Sequence, residues 1–344
     1  MRCPTFEELP SPPAGKTGWP WTAADPPLRD AKTDGSPWPR VSVVTPSLNQ
    51  GRFLEETIRS VLLQGYPDLE YILIDGGSTD ETLAIIHKYE QWLAYWVSEP
   101  DRGQAHAINK GWARSTGDIL AYINADDVYL PGAITRAAAA FSVEPGAGMV
   151  YGTAIIVNEA GEELKAWTAS PFDLRKMLTV GSTVPQSSVF FSSDALKDVG
   201  YLNDEWQLIM DYDLCTRIGL QYPTVCITET LSKFRNHPLS KTRLRFELMA
   251  DELVQFVRAL KPNDMSARAW KKLQRATISR VHYELALAYL RDGERAEPQA
   301  FTELLRSAFL YPWFVLKQPL LTAHIVRRAA AEGLRATARR SRRS

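Results

Sequence analysis

From position 41 onward, short apolar runs alternate with segments whose apolar residues recur at helical spacing. Val41-Ser42-Val43-Val44-Thr45 predicts a strand. Leu54, Ile58, Val61 and Leu62 predict the helix that follows it, stopped by Gly65-Tyr66-Pro67. Tyr71-Ile72-Leu73-Ile74-Asp75 predicts the next strand, then the turn Gly76-Gly77-Ser78 and a helix over 79–89. Strands over 94–98 and 118–124, with a helix over 103–114 between them, extend the series. Such alternation predicts an α/β fold with a parallel sheet, right-handed crossovers and ligands at the carboxyl ends of the strands. Thr45, Asp75 and Asp126 all fall at such ends.

The two ends of the chain read differently. Residues 1–40 carry nine prolines, among them Pro10, Pro12, Pro13, Pro20, Pro26 and Pro27, and no sustained apolar period. They predict an irregular leader, because proline neither continues a helix nor sits in a central strand. An exposed linker is the favoured form of it, with Trp19, Trp21 and Trp38 as the residues able to pin it to the domain. Beyond about residue 245, Leu248, Leu253, Phe256, Val257 and Leu260, then Tyr283, Leu287 and Leu290, then Phe301, Leu304, Leu305 and Ala308 predict a helical region over 246–344. It ends in a basic tail: Arg327, Arg328, Arg335, Arg339, Arg340, Arg342 and Arg343. Aromatics and aliphatics at 309–316 beside these arginines suit a helix lying on an anionic membrane surface. A homodimer contact or a packed helix is the alternative.

Composition narrows the function classes. The 344 residues are 45% hydrophobic, enough for a large core, with 40 basic residues against 40 acidic. No overall field draws the protein to nucleic acid, and none is expected as a partner. Cys3, Cys215 and Cys226 have no metal-ligand spacing, which suits a reducing compartment. No stretch reads as a signal peptide or a spanning helix, so a cytoplasmic location is expected, peripheral to the membrane if the tail binds it.

The chemistry concentrates at Asn124-Ala125-Asp126-Asp127, directly after the apolar run Ile119–Ile123. Carboxylates at the end of a buried strand are costly unless a cation or donors compensate them, which points to a hard metal ion and the phosphates that accompany it. Neither G-x-G-x-x-G after the first strand nor G-x-x-x-x-G-K-[ST] occurs, so phosphate is handled without those loops.

Three segments in order, Val41 to Asn49, Asp75-Gly76-Gly77-Ser78-Thr79-Asp80 and Asn124-Ala125-Asp126-Asp127, resemble the successive motifs of inverting family 2 glycosyltransferases with the GT-A fold. The resemblance runs from about Val41 to about Thr242. It implies a Rossmann-like, mostly parallel central sheet flanked by helices, in a domain over 41–245. A nucleotide-binding half over 41–127 would meet an acceptor half over 128–245. It also implies a nucleoside-diphosphate sugar donor, most often UDP-linked, with Mn²⁺ or Mg²⁺, and a glycan or lipid-linked acceptor. Thr45, Pro46 and Asn49 would lie by the nucleotide, and Asp75 would accept a hydrogen bond from the base. The segment from Asp101 to Gly111 would approach ribose and diphosphate, with Arg102 ranked above Lys110, Asn109 beside them and His106 in a supporting place.

The acidic motif begins with Asn124 where the family usually has aspartate. Asn124 would bond a ribose hydroxyl, and Asp126 and Asp127 would carry metal binding. Val184 to Phe191, including Gln186, resembles the segment before the family's catalytic helix. Met210-Asp211-Tyr212-Asp213 resembles the motif that holds its base. Asp211 is the expected base, and Asp213, which begins the same predicted helix, is the alternative. Phe234 to Lys241 resembles the loop that closes over the diphosphate. There His237 would ligate the metal or donate to phosphate, and Arg235 or Lys241 would add charge. Two rival readings remain from the residues: a sugar nucleotidyltransferase, which would want a glycine-rich basic loop after the first strand, and a non-catalytic nucleotide-sugar-binding protein, which would not need Asp211.

Overall fold

The computed structural model describes residues 3–238, 240–241, 245–262, 265–292, 297–316, 322–323 and 326–327. They form two compact units, one of residues 1–174 and 182–237 and one of 175–181 and 238 onward.

The first unit is built on a nine-stranded sheet. Its amino-terminal half runs β1 (Val41–Ser47), α1 (Gly51–Leu62), β2 (Leu69–Asp75), α2 (Thr82–Tyr89), β3 (Tyr95–Ser98), α3 (Gln104–Trp112) and β4 (Ile119–Tyr122). These four strands pair in parallel in the order β3-β2-β1-β4, as the alternation predicts. There follow β5 (Val128–Tyr129), α4 (Ala133–Val143), β6 (Met149–Val157), β7 (Glu163–Trp167), β8 (Val189–Ser192), α6 (Ser193–Val199), α7 (Met210–Gln221) and β9 (Thr224–Arg235), while α5 (Leu174–Val180), between β7 and β8 in the chain, belongs from residue 175 to the second unit. In this half β8 is antiparallel to β4 and β6, β7 is antiparallel to β6, and β5 is antiparallel to β9. The parallel character is thus confined to β1–β4 and the β6–β9 pair.

Strand β1 is buried along its whole length, so its two faces meet different helices. Val41 and Val43, with Leu69, Tyr71, Leu73 and Ala121, pack on Leu54, Ile58, Val61 and Leu62 of α1 and Ile134 and Ala137 of α4. On the other face α3 approaches so closely that a Cβ at Gly111 would lie 2.5 Å from a Val44 methyl. Trp112 of α3 is fully buried there, its ring against Tyr122, Phe191 and Tyr201.

The leader is irregular, but it is not an exposed linker. Cys3, Leu9 and Trp21 are buried, and Phe6, Trp19, Leu28 and Trp38 pack on the main core. The reason lies in Arg59 of α1, which is fully buried. Its guanidinium donates to the carbonyls of Pro20 (3.0 Å), Pro10 (2.8 Å) and Trp21 (3.2 Å) and to the Tyr89 hydroxyl (3.1 Å). Proline removes donors from the leader but leaves every carbonyl, and a buried cation gathers those acceptors. Trp19 Nε1 adds a 2.7 Å bond to the Tyr129 carbonyl.

The second unit is helical: α8 (Phe246–Ala259), α9 (Ala267–Asp292), α10 (Glu297–Leu310) and α11 (Pro312–Leu316). Tyr283, Ala286, Leu290, Ala300, Leu304 and Val315 form its core. Arg280 donates to the Leu178 carbonyl at 3.0 Å, which ties residues 175–181 to α9. No described helix is long and apolar enough to cross a membrane. Arg328, Arg335, Arg339, Arg340, Arg342 and Arg343 of the basic tail lie outside the described residues.

Replacing Arg59 by methionine keeps the bulk and strands the leader's carbonyls. Urea denaturation should show a loss of about 2–4 kcal/mol, with new cleavage sites within 1–40 in limited proteolysis.

Candidate active site

The parallel strands end side by side, with Ser47 of β1 opposite Asp75 of β2 and Asp75 opposite Ser98 of β3. Asp75 is fully buried. Its Oδ2 accepts from the N–H groups of Gly77 (3.1 Å) and Ser78 (2.9 Å) and from Ser98 Oγ (2.6 Å), and its Oδ1 accepts from Ser78 Oγ (2.5 Å). Four donors from its own chain occupy a carboxylate with about four acceptor positions. Asp75 therefore shapes the 76–79 loop. Asn49 holds the same loop from the other side. It sits in the left-handed region (φ 52°), where asparagine is tolerated, and its Oδ1 accepts from the Thr79 N–H at 2.9 Å. Thr45 is buried, its hydroxyl 3.0 Å from the Tyr71 hydroxyl within the core, and Pro46 is buried in β1 beside it.

The acidic loop after β4 is held from three directions. Thr57 of α1 donates to the carbonyls of Ala125 (2.9 Å) and Asp127 (2.7 Å). Strand β9, which pairs with β5, brings Arg235 and His237 beside the loop. The Arg235 N–H donates to Asp127 Oδ1 (2.9 Å), and its side chain donates to the carbonyls of Asp126 and Glu159 and to Glu56, each at 3.0 Å. The guanidinium also lies over the Phe53 ring. Arg235 is thereby spent on building the loop.

The two aspartates of the loop differ. Asp127 is 1% exposed, with Oδ1 on Arg235 and Oδ2 receiving the Asn124 amide at 3.2 Å. Burial pushes its pKa well above the carboxylate range, and the charge of Asp126 adds to that. Arg235 and Asn124 work in the other direction. Asp126 keeps its side chain 20% exposed, with Oδ2 lying 3.0 Å from His237 Nε2. Of the three expected metal ligands, Asp126 and His237 converge as an oxygen and a nitrogen donor, whereas Asp127 faces inward.

Asn124 links this loop to its neighbours. It accepts from Gln104 Nε2 (2.5 Å) and donates to Gln186 Oε1 (3.2 Å). The nearby Tyr122 hydroxyl is buried, and its pKa is pushed far up, first by desolvation and then by the neighbouring acidic groups of Asp211, Cys215 and Asp127, with the Gln186 side chain acting against the rise. Tyr122 therefore stands within electrostatic reach of both the acidic loop and Asp211.

Asp211 and Asp213 both lie in the first turn of α7 but have different surroundings. Asp213 is buried and paired with Arg217 (2.9 Å), which in turn donates to the carbonyls of Val199, Gly200 and Tyr201. Burial raises the Asp213 pKa, and the Arg217 charge acts against the rise. Asp211 is half-buried, and no cation among the described residues pairs with it. Desolvation pushes its pKa up to about 6, opposed by the N–H groups of Tyr212 and of Asp211 itself and reinforced by Asp213.

The remaining expected residues serve locally. Asn109 donates to the Leu202 carbonyl (2.7 Å) and accepts from the Leu202 N–H (3.1 Å), pinning α3 to the stretch before α7. Arg102 is exposed and pairs with Asp204 at 2.7 Å, and Lys110 pairs with Glu99 at 2.7 Å. His106 Nδ1 lies 3.5 Å from the Arg102 N–H. Lys241 belongs to the second unit. Sequence reading passed over Gln104, Thr57, Glu56, Phe53 and Tyr122. Their signal was weak, since each occupies an ordinary helix or strand position whose neighbours come from distant segments.

A parallel α/β half, an acidic loop after its fourth strand and a carboxylate at the head of a later helix are the arrangement expected of a GT-A glycosyltransferase. The sequence model of glycosyl transferase family 2 matches residues 42–195. An uncharacterised glycosyltransferase of Mycobacterium tuberculosis is 32% identical over 198 residues, 57% of this chain and 75% of its own. A PGL/p-HBAD biosynthesis glycosyltransferase of Mycobacterium bovis is 29% identical over 183 residues, 52% of this chain and 69% of its own. The fold is shared with S. aureus TarS 1–349 (TM-score 0.57, 17% identity, 84% of this chain and 88% of that one). It is also shared with the mannosyltransferase PcManGT from Pyrobaculum calidifontis, solved with GDP-Man and Mn²⁺ (TM-score 0.54, 21% identity, 91% and 89%). The chain belongs to glycosyltransferase family 2 and is a glycosyltransferase. The nucleotidyltransferase and non-catalytic readings give way to that assignment.

Asp211 supplies a stability test. Its raised pKa means that the native state holds a proton which the unfolded chain, titrating at about 4, has lost. The cost of burying the charge is absent below about pH 4 and complete above about pH 6. Asp211→Asn should therefore stabilise the protein by about 1–3 kcal/mol at pH about 8, with the difference vanishing at pH about 4 in paired thermal melts.

Proposed function

We propose that this glycosyltransferase moves a sugar from a nucleoside-diphosphate donor, UDP-linked, to a hydroxyl of a glycan or lipid-linked acceptor with inversion at the anomeric carbon, using Mn²⁺ or Mg²⁺. The observation that carries the reading is the contrast within α7: Asp213 is paired with Arg217, while Asp211 is half-buried, without a described cationic partner and raised toward neutrality. A base works best when its pKa lies near the working pH. TarS is solved in complex with UDP-GlcNAc and with UDP, and PcManGT with GDP-Man, which supports a nucleoside-diphosphate sugar donor; the uridine base rests on the resemblance of the motifs.

In this reading the Asp211 carboxylate takes the proton of the acceptor hydroxyl as its oxygen attacks the anomeric carbon. The bond from that carbon to the diphosphate oxygen breaks on the opposite face. One displacement inverts the centre, and the electron pair leaves with the nucleoside diphosphate. Asp126 and His237 fit a divalent ion, since a carboxylate oxygen and an imidazole nitrogen lie together at the edge of the loop, and Mg²⁺ or Mn²⁺ sites commonly use one or two such groups with substrate phosphates. When bound, the ion would offset the charge gathering on the leaving diphosphate. Asp127 and Arg235 hold the loop in register. Asp75 and Asn49 hold the loop that would face the base, and Arg102, exposed and paired with Asp204, would exchange that partner for phosphate. The reaction would occur on the cytoplasmic side, where nucleotide sugars are made.

Asp211→Asn should lower kcat by about 10²–10⁴-fold and leave the affinity for UDP with Mn²⁺ unchanged by calorimetry. Turnover close to that of the parent chain would remove Asp211 as the base. His237→Ala should weaken Mn²⁺-dependent UDP binding about ten-fold or more, with little change in UDP binding when the metal is chelated. Equal loss in both conditions would remove the metal role.

A further inference from the structure

Helix α10 is amphipathic in an unusual sense. Its inward side carries Ala300, Leu304 and Ser307, all buried, while Phe301, Leu305 and Phe309, spaced one turn apart, face outward. Phe309 is 85% exposed and Leu305 55%. Leu316 at the end of α11 is 65% exposed. The other exposed side chains described on α10 are Gln299, Thr302 and Arg306. Its described acid, Glu303, is buried against His282 and Arg306. An apolar stripe with no exposed carboxylate over 299–310, the part of the helix whose side chains are described, is an expensive surface to leave in water.

The antiparallel partner, α9, supplies charge. Arg268, Lys271, Lys272 and Arg275 are exposed along one side of its first turns, and its first acid is Glu284. Ser279 Oγ bonds the Ser307 carbonyl (2.9 Å) and His282 faces Glu303 (2.6 Å), so the two helices run in opposite directions in fixed register. At about 1.5 Å per residue, this register sets Phe309 within about one turn of Arg275 along the hairpin. The sequence beyond Leu316 then adds Lys317 and seven arginines against one acid, Glu332.

We infer that the end of the second unit formed by α9, α10 and α11 docks on an anionic phospholipid surface. Leu305, Phe309 and Leu316 enter the headgroup boundary, and the Arg268–Arg275 ladder meets lipid phosphates. Charge decides for this occupant over a second copy of the chain, because two copies would bring like-charged ladders together, whereas an anionic bilayer complements both the ladder and the stripe. The inference is independent of the reaction proposed above, since it rests on residues outside the candidate site.

The test is flotation of the full chain with vesicles of phosphatidylcholine alone and of phosphatidylcholine mixed with phosphatidylglycerol. Binding should require the anionic lipid and fall with salt. Phe309→Ser with Leu316→Ser should lower the partition coefficient about ten-fold or more. Arg268, Lys271, Lys272 and Arg275 each changed to Gln should lower it about five-fold per charge. Circular dichroism and the thermal midpoint establish that each variant is folded. Flotation that ignores the anionic lipid, that survives both variants or that does not occur overturns the proposal. So does a dimer in sedimentation that Phe309→Ser dissolves while vesicles bind neither form.

Discussion

The candidate site depends on the burial of Asp127. A carboxylate with 1% exposure at the end of a central strand would cost several kcal/mol if left alone. It is tolerated because the Arg235 backbone and the Asn124 amide meet its two oxygens. The same Arg235 reaches the Asp126 carbonyl, the 158–161 turn through Glu159 and helix α1 through Glu56, with its guanidinium on Phe53. One residue thus joins segments that are far apart in the chain. That network leaves Asp126 outside, next to His237.

The carboxylates of the first unit divide by their partners. Asp75, Asp127 and Asp213 are turned inward and satisfied by N–H groups, hydroxyls, an amide or a guanidinium. Asp126 and Asp211 keep an open side. Chemistry needs the second kind, because only a group with spare coordination can accept a proton or an ion. The first kind sets geometry, and its members are as costly to remove as a buried core residue. The Gln104–Asn124–Gln186 chain of amides serves the same end without charge, holding the acidic loop beside Gln186 and Tyr122.

The leader shows the same rule at work in a segment without regular structure. Its prolines deny it helix and strand, yet their carbonyls remain acceptors, and Arg59 collects them inside the core. In the second unit, polar pairs such as Ser279–Ser307 and His282–Glu303 fix helix register where the apolar contacts alone would permit sliding.

The amino-acid sequence by itself determined the elements and their order. Period-two and period-3.6 patterns are local, so β1 to β4 with their helices were legible, and the ordered motifs from Val41 to Asp127 and at Asp211 pointed to the family. Tertiary structure decided what each polar residue does. Asp211 and Asp213 are two positions apart and equivalent as sequence. They separate only because Arg217 lies one turn further along on the Asp213 side and clamps the 199–201 carbonyls. Asp126 and Asp127 are adjacent, and strand β9, arriving from more than a hundred residues away, selects which of them faces solvent. Thr45, Asn109 and Arg235 turned to internal bonds for the same reason. A side chain's partners are set by packing across the sheet, and that information is not contained in any local window of the chain.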